Sequence, residues 1–132
     1  MAQKFNLYSY KGTDKISFGE SRENTRRIFG EYEEYRKNNF SKNTSDDFRE
    51  FHVFYDSEDN VEAIEFFDSE LFINNKKIFP NNKSDLIKIL TELGAKGSES
   101  ADSIVSSLLG ISVYIPDGQP KSLLIYKKGY FN

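Results

Sequence analysis

The sequence predicts an α+β protein, a single domain over residues 1–132 with a predominantly antiparallel sheet of hairpins backed by two short helices. Three observations carry that expectation. One layout, a capped helix followed by a polar spacer and two strand-like runs around a turn, occurs twice. SRENTRRIFG at 21–30 leads to FHVFYDSEDNVEAIEFF at 51–67, and SDLIKILTELG at 84–94 leads to GISVYIPDGQPKSLLIY at 110–126. This predicts a tandem helix-hairpin repeat. The strand-like runs keep a period of two and the helical runs a spacing of three to four, the two patterns that separate strands from helices. At 132 residues the chain is long enough to bury a core without disulfides or metals.

Taken in order, FNLYSY at 5–10 alternates and predicts a first strand, with a second short one over 15–18 after Gly12. Ser21 is a good helix N-cap, Thr25, Ile28 and Phe29 form a narrow apolar stripe, and Gly30 is placed to end the helix. Residues 31–47 are polar and without clear period, and they predict a long loop or irregular helix anchored by Tyr32, Tyr35 and Phe40. In the next strand Phe51, Val53 and Tyr55 share one face, and His52, Phe54 and Asp56 the other. The run 61–67 is apolar on both faces and reads as a central strand covered on each side. A hairpin follows over 71–79, turning at Asn74-Asn75, residues that tolerate positive φ. The second helix has Ser84 as its expected cap, Leu86, Ile89, Leu90 and Leu93 along one side, and Gly94 at its end. Residues 95–107 suit either a helical turn or an edge strand. The final hairpin turns at Asp117-Gly118 between Pro116 and Pro120, and Tyr130 and Phe131 are expected to dock back on the body.

Composition narrows the chemistry. The absence of cysteine excludes disulfide frameworks, thiolate zinc sites and thiol nucleophiles, and it fits a reducing, cytoplasmic setting. No apolar run approaches the roughly 18 residues of a membrane span, so no membrane partner is expected. His52 is the one histidine, in mid-strand, with no second His or Cys at ligand spacing; it reads as a half-buried strand residue, and no metal site or cofactor is expected. DSEDNV, starting at Asp56, lacks the Gly and the bidentate Glu of a calcium loop, and GAKGS at 94–98 lacks the spacing of a phosphate loop. With no catalytic signature in the chain, the expectation is a protein that is not an enzyme.

Net charge is −3, which gives no general attraction to nucleic acid. Two small basic sets, Arg22, Arg26 and Arg27 on the first helix and Lys127 and Lys128 in the aromatic tail, read as solvated faces. Residues 56–70 hold seven of the 21 carboxylates and no Lys or Arg. Two readings stand: basic side chains from other segments neutralise them, or Asp56, Glu58, Asp59, Glu62 and Glu65 present a negative patch to a basic partner. Strict alternation sets Glu62 and Glu65 on opposite faces of their strand.

The segments ISFGESRENTRRIFG, HVFYDSEDNVEAIEFF, LFINNKKIF and LGISVYIPDGQPKSLLIYKKGYF together resemble small bacterial immunity proteins of polymorphic-toxin systems, of the contact-dependent inhibition type. The doubled helix and hairpin layout is also similar to the tandem repeats of the β-lactamase inhibitor protein. The resemblance implies a cytoplasmic antidote that binds a cognate toxin domain, in many cases a basic nuclease, and blocks its active site. No contact residue is carried over from it. On this expectation the acidic hairpin meets the toxin, with Tyr114 and Tyr126 as aromatic anchors on the outer sheet face. The alternatives are a peptide- or small-ligand-binding regulatory module and a hydrolase using carboxylates.

Overall fold

The structure is a computed structural model and describes residues 2–131. The chain forms β1 (Lys4–Tyr8), β2 (Gly12–Thr13), α1 (Arg22–Phe29), β3 (Glu33–Tyr35), β4 (Ser45–Asp47), β5 (Phe51–Tyr55) and β6 (Val61–Phe66). It continues with β7 (Glu70–Ile73), β8 (Lys76–Phe79), α2 (Lys83–Glu92), β9 (Ser98–Glu99), β10 (Ser103–Ser106), β11 (Ile111–Tyr114) and β12 (Ser122–Tyr126). The order ββαββββ therefore runs twice, and the repeat takes in far more of the chain than the helix and hairpin from which it was predicted.

Both sheets are built symmetrically from the two repeats. The eight-stranded sheet has the order β3-β4-β5-β6-β12-β11-β10-β9, all antiparallel, and the four-stranded sheet the order β2-β1-β7-β8 with β1 and β7 parallel. Each repeat lays down a meander from edge to centre, so the last strands, β6 and β12, meet in the middle, Phe66 opposite Leu123 and Ile64 opposite Ile125. β6 is central, as its two-sided apolar character predicts.

One face of the large sheet meets α1, α2 and the small sheet in the main core. Phe5 of β1 packs 5.1 Å from Phe66 and 5.4 Å from Phe51, and Phe29 of α1 lies 4.8 Å from Phe51. Leu86 and Leu90 of α2 complete this core. The opposite, outer face carries a smaller cluster of Phe54, Ala63 and Tyr126 beside Tyr10, Tyr35, Leu124 and Tyr130.

Local chemistry accounts for the elements. The Ser21 hydroxyl accepts from the Asn24 N–H, and Gly30 ends α1 at φ 85°. α2 is capped by Asn82 rather than Ser84: Asn82 Oδ1 takes the Asp85 N–H at 2.8 Å. Asn and Ser cap equally well, and the chain leaving β8 enters the helix two residues early. Asn74 and Asn75 both have positive φ in the β7–β8 turn, as their side chains allow.

Two segments depart from expectation and a third resolves between its two readings. Residues 15–18 form no strand; Gly12 and Thr13 pair back on β1, and Thr13 Oγ1 accepts the N–H groups of Lys15 and Ile16. Residues 31–47 are no plain loop but hold the edge strand β3 and its neighbour β4. Their inner-facing residues are the charged Glu34 and Asp46, which erases the apolar period that marks a strand. Residues 95–107 resolve to strands, the edge strand β9 and its neighbour β10, with Ile104 turned into the core.

Burial ranks the side chains. Truncating Phe66, fully buried, is expected to cost about 3–5 kcal/mol. Ile28 is 46% exposed despite its place in the predicted stripe, so Ile28→Ala should stay within about 0.5 kcal/mol. Urea unfolding midpoints of the two variants measure both.

Candidate binding groove on the outer sheet face

Inside the large sheet, beneath its β3 edge, lies a cluster of charge. Asp46 is fully buried, and its carboxylate accepts Arg26 Nε at 2.8 Å, Arg26 Nη2 at 2.8 Å and the Tyr55 hydroxyl at 2.8 Å. Arg22, one turn back on α1, donates to Thr44 Oγ1, Asn43 Oδ1 and the Thr44 carbonyl, and its Nε lies 3.2 Å from Asp59 Oδ1 as an ion pair outside hydrogen-bond alignment. Glu34 accepts from Arg26 and from the Thr44 hydroxyl. The guanidinium groups also stack, Arg22 4.2 Å from the Tyr55 ring centre and Arg26 4.0 Å from that of Tyr32. The hydrogen bonds to Asp46 raise the Arg26 pKa; burial, then the Asp46 bond, raises that of Tyr55. Of the three helix arginines read as a solvated face, only Arg27 is exposed; Arg22 and Arg26 are the ionic core of the first repeat.

This cluster fixes the base of an arm, residues 36–44, that runs from β3 to β4. Asn43, which holds Arg22, also donates to the Asp56 carbonyl and to Asp59 Oδ1. The arm and the outer sheet face enclose an open groove of about 390 Å³ whose lining includes Lys37, Phe40, Lys42, Phe54, Glu62 and Tyr130. Lys37 Nζ stands 4.4 Å from the Phe54 ring centre, and Phe40 is 93% exposed.

Glu62 is the distinctive group in this groove. Val61 pairs with Tyr55 and Ala63 with Phe54, so the register shift leaves Glu62 as an extra residue in β6. The bulge turns Glu62 to the outer face that Ala63 and Glu65 occupy, against the opposite-face placement that strict alternation gives. Among the described residues no group donates a hydrogen bond to its half-buried carboxylate. Burial pushes the carboxyl above its ordinary value, Lys127, Lys42 and Lys37 pull it down, and Asp56 adds to the rise. Tyr130 beside it is raised by burial and by the negative charge of Glu62 and Glu65.

The other predicted site residues scatter. Asp56 is a turn residue, accepting the N–H groups of Glu58 and Asn60; these bonds and Lys127, 3.6 Å away, outweigh its burial and hold its carboxyl below the ordinary range. Asp59 sits at φ 62° and faces Arg22, and Glu58 stays exposed at the turn tip. Glu65 accepts the Ser122 hydroxyl at 2.8 Å. Of the seven acidic residues, Asp56, Asp59 and Glu70 find counter-ions, Lys127, Arg22 and Lys77 (3.9 Å from Glu70), while Glu58 and Asp68 stay exposed, and the run does not form one open patch. Tyr126 is on the outer face as predicted but only 6% exposed, because Tyr10, Tyr130 and Phe131 close over it. Tyr114 is 47% exposed, at the opposite end of the β11–β12 pair from Tyr126. His52 is half-buried, its Nδ1 2.7 Å from the Tyr35 hydroxyl and its Nε2 3.4 Å from Asp47.

Among the described residues no group of three His, Asp or Glu side chains is placed to hold a metal ion, and no helix is long and apolar enough to cross a membrane. Comparison with known proteins gives no match: no family model, no curated protein and no solved structure matches the chain.

Two outcomes test this geometry. Asp46→Ala leaves two arginines without their buried counter-ion and should cost about 3–5 kcal/mol, read from denaturant midpoints. Because the Glu62 carboxyl titrates higher in the folded than in the unfolded chain, its ionisation lowers stability as pH rises through the folded pKa. Glu62→Gln should therefore raise Tm at neutral pH, with the gain vanishing below about pH 4, where the unfolded carboxyl is also protonated. Thermal melts across pH decide it; an equal gain at every pH would contradict the assignment.

Proposed function

We propose that this protein acts by binding rather than catalysis, as a cytoplasmic inhibitor whose outer sheet face docks on a cognate toxin domain and blocks it. The observation that carries this reading is Glu62, a half-buried carboxylate in an aromatic groove with no donor of its own among the described residues. A carboxylate kept partly from water without a hydrogen-bond donor is unfavourable in the free protein, and a Lys or Arg side chain from a partner relieves it. Phe54, Tyr130 and Phe40 offer ring faces to the apolar stem and cationic head of such a side chain. Lys37 forms no ion pair among the described residues and can leave Phe54 when a partner arrives.

A basic partner also suits the chain's net charge of −3 and its exposed Glu58 and Asp68, which speed encounter without having to lie in the contact. The resemblance to immunity proteins points the same way, since many toxins of those systems are basic nucleases. The groove's volume of about 390 Å³ also falls within the range of small-ligand sites, the one observation that favours a peptide- or small-ligand-binding module instead.

Co-expression with the C-terminal domain encoded by the adjacent upstream gene, as a candidate toxin, separates the two. The inhibitor reading expects growth rescue and a complex that co-purifies; failure of both, with a small ligand or peptide raising Tm, would favour the module. Within a complex, Glu62→Gln should weaken binding by about tenfold or more while the free protein stays folded. Unchanged affinity would remove the groove from the interface.

A further inference from the structure

We infer that the tip of the arm is a plug: Phe40 enters an apolar pocket of the partner whose mouth is lined with carboxylates. The plug rests on the inhibitor reading and deepens it, because the arm then fills a cavity of the toxin domain as well as walling a groove.

The arm is an addition to the repeat. β3 and β4 are joined by residues 36–44, whereas β9 and β10, at the matching place in the second repeat, are joined by 100–102 alone. The longer link adds nothing to the core: residues 36–40 are all exposed, and none of 36–44 belongs to either apolar cluster. A stretch that the second repeat does without is free to serve contact.

A single exposed apolar side chain is ordinary on a protein surface. Phe40 differs in two ways. At 93% exposed it is the most open large apolar side chain among the described residues. The backbone beneath it is nonetheless fixed, in a turn over 38–41. The Ser41 N–H donates to the Asn38 carbonyl at 3.2 Å, and Asn38 Oδ1 accepts the Phe40 N–H at 2.8 Å. Ser41 Oγ accepts the Asn38 N–H at 3.2 Å, and Arg36 Nη1 donates to the Ser41 carbonyl at 2.6 Å. A ring held out on an ordered turn has already lost backbone freedom that binding would otherwise remove, so more of its burial appears as affinity. Aromatic side chains seated in dry pockets are the residues that carry most of the energy of an interface.

Charge around the tip selects the pocket. Residues 36–44 read RKNNFSKNT, with three bases and no acid in a chain whose net charge is −3. Among the described residues Arg36, Lys37 and Lys42 form no ion pair. Carboxylates around the pocket pair with these cations and set the direction from which the ring enters. The contact surface is thus of mixed sign, cationic on the arm and anionic at Glu62 in the groove behind it. The partner it fits is basic where it meets Glu62 and acidic around the hole that takes Phe40.

The chain contains no tryptophan, so Phe40→Trp places a single indole at the tip, and fluorine-labelled tryptophan gives it one resonance. In complex with a candidate toxin domain that resonance should shift and lose its response to heavy water. Phe40→Ala should leave the Tm of the free protein unchanged and weaken binding about thirtyfold or more. Lys42→Glu should weaken it about tenfold at low salt and far less at high salt. A complex in which the indole stays open to solvent, or in which Phe40→Ala or Lys42→Glu binds like the wild type, would overturn the plug and leave the inhibitor reading in place. A wild type that binds no toxin domain would overturn both.

Discussion

The Asp46 carboxylate stands where α1, the β3–β4 arm and β5 converge, and its burial makes pairing obligatory. A fully buried carboxylate is tolerable only when donors surround it, and Arg26 and Tyr55 supply three hydrogen bonds. Those bonds hold α1 at the edge of the sheet and hold β4 in the sheet. Arg22 then reaches Thr44 and Asn43, and Asn43 reaches the β5–β6 turn. The outer-face groove inherits its shape from this internal cluster, because the arm that walls it starts from residues whose other face the cluster fixes.

The two repeats share a plan and solve one of its positions in opposite ways. β4 turns Asp46 inward, whereas β10, at the matching place in the second repeat, turns Ile104 inward. The facing helices follow suit, α1 bringing Arg22 and Arg26 and α2 bringing Leu86 and Leu90. The hairpin turns keep their likeness, with Asp59 and Asp117 both at positive φ. Charge therefore gathers in the first repeat, where the groove is, while the second is stabilised by apolar burial. Pairing of this kind adds less net stability than a well-packed apolar contact, and it restricts geometry more. A binding surface has use for that restriction.

Legibility in the sequence tracked apolar pattern. The strands β5, β6, β11 and β12, the two helices and the Asn-Asn turn were all readable, because each alternates or caps in the ordinary way. β3 and β4 are not, since their inward residues are Glu34 and Asp46 and their partner Arg26 lies on a helix eight and twenty residues earlier. Charge singles out Glu62, but alternation places it on the wrong face relative to Glu65, because a bulge leaves no mark in the alternation. Phe54 and Lys37 carry no signal of a groove, which arises only when the arm lies across the sheet. Alternation assigns Tyr126 to the outer face and predicts the docked aromatic tail separately, but not that the tail covers Tyr126 and leaves it 6% exposed.

The central claim is that the outer-face groove, walled by the arm, receives a basic partner. Amide hydrogen exchange on this protein, free and in complex with a candidate toxin domain, tests that most directly. The account predicts that binding slows exchange in the arm at 36–44, around the β5–β6 turn and in the tail near Tyr130, and leaves α2 and the β7–β8 hairpin as they were. Protection confined to α2, β7 and β8, with the arm unaffected, would contradict it.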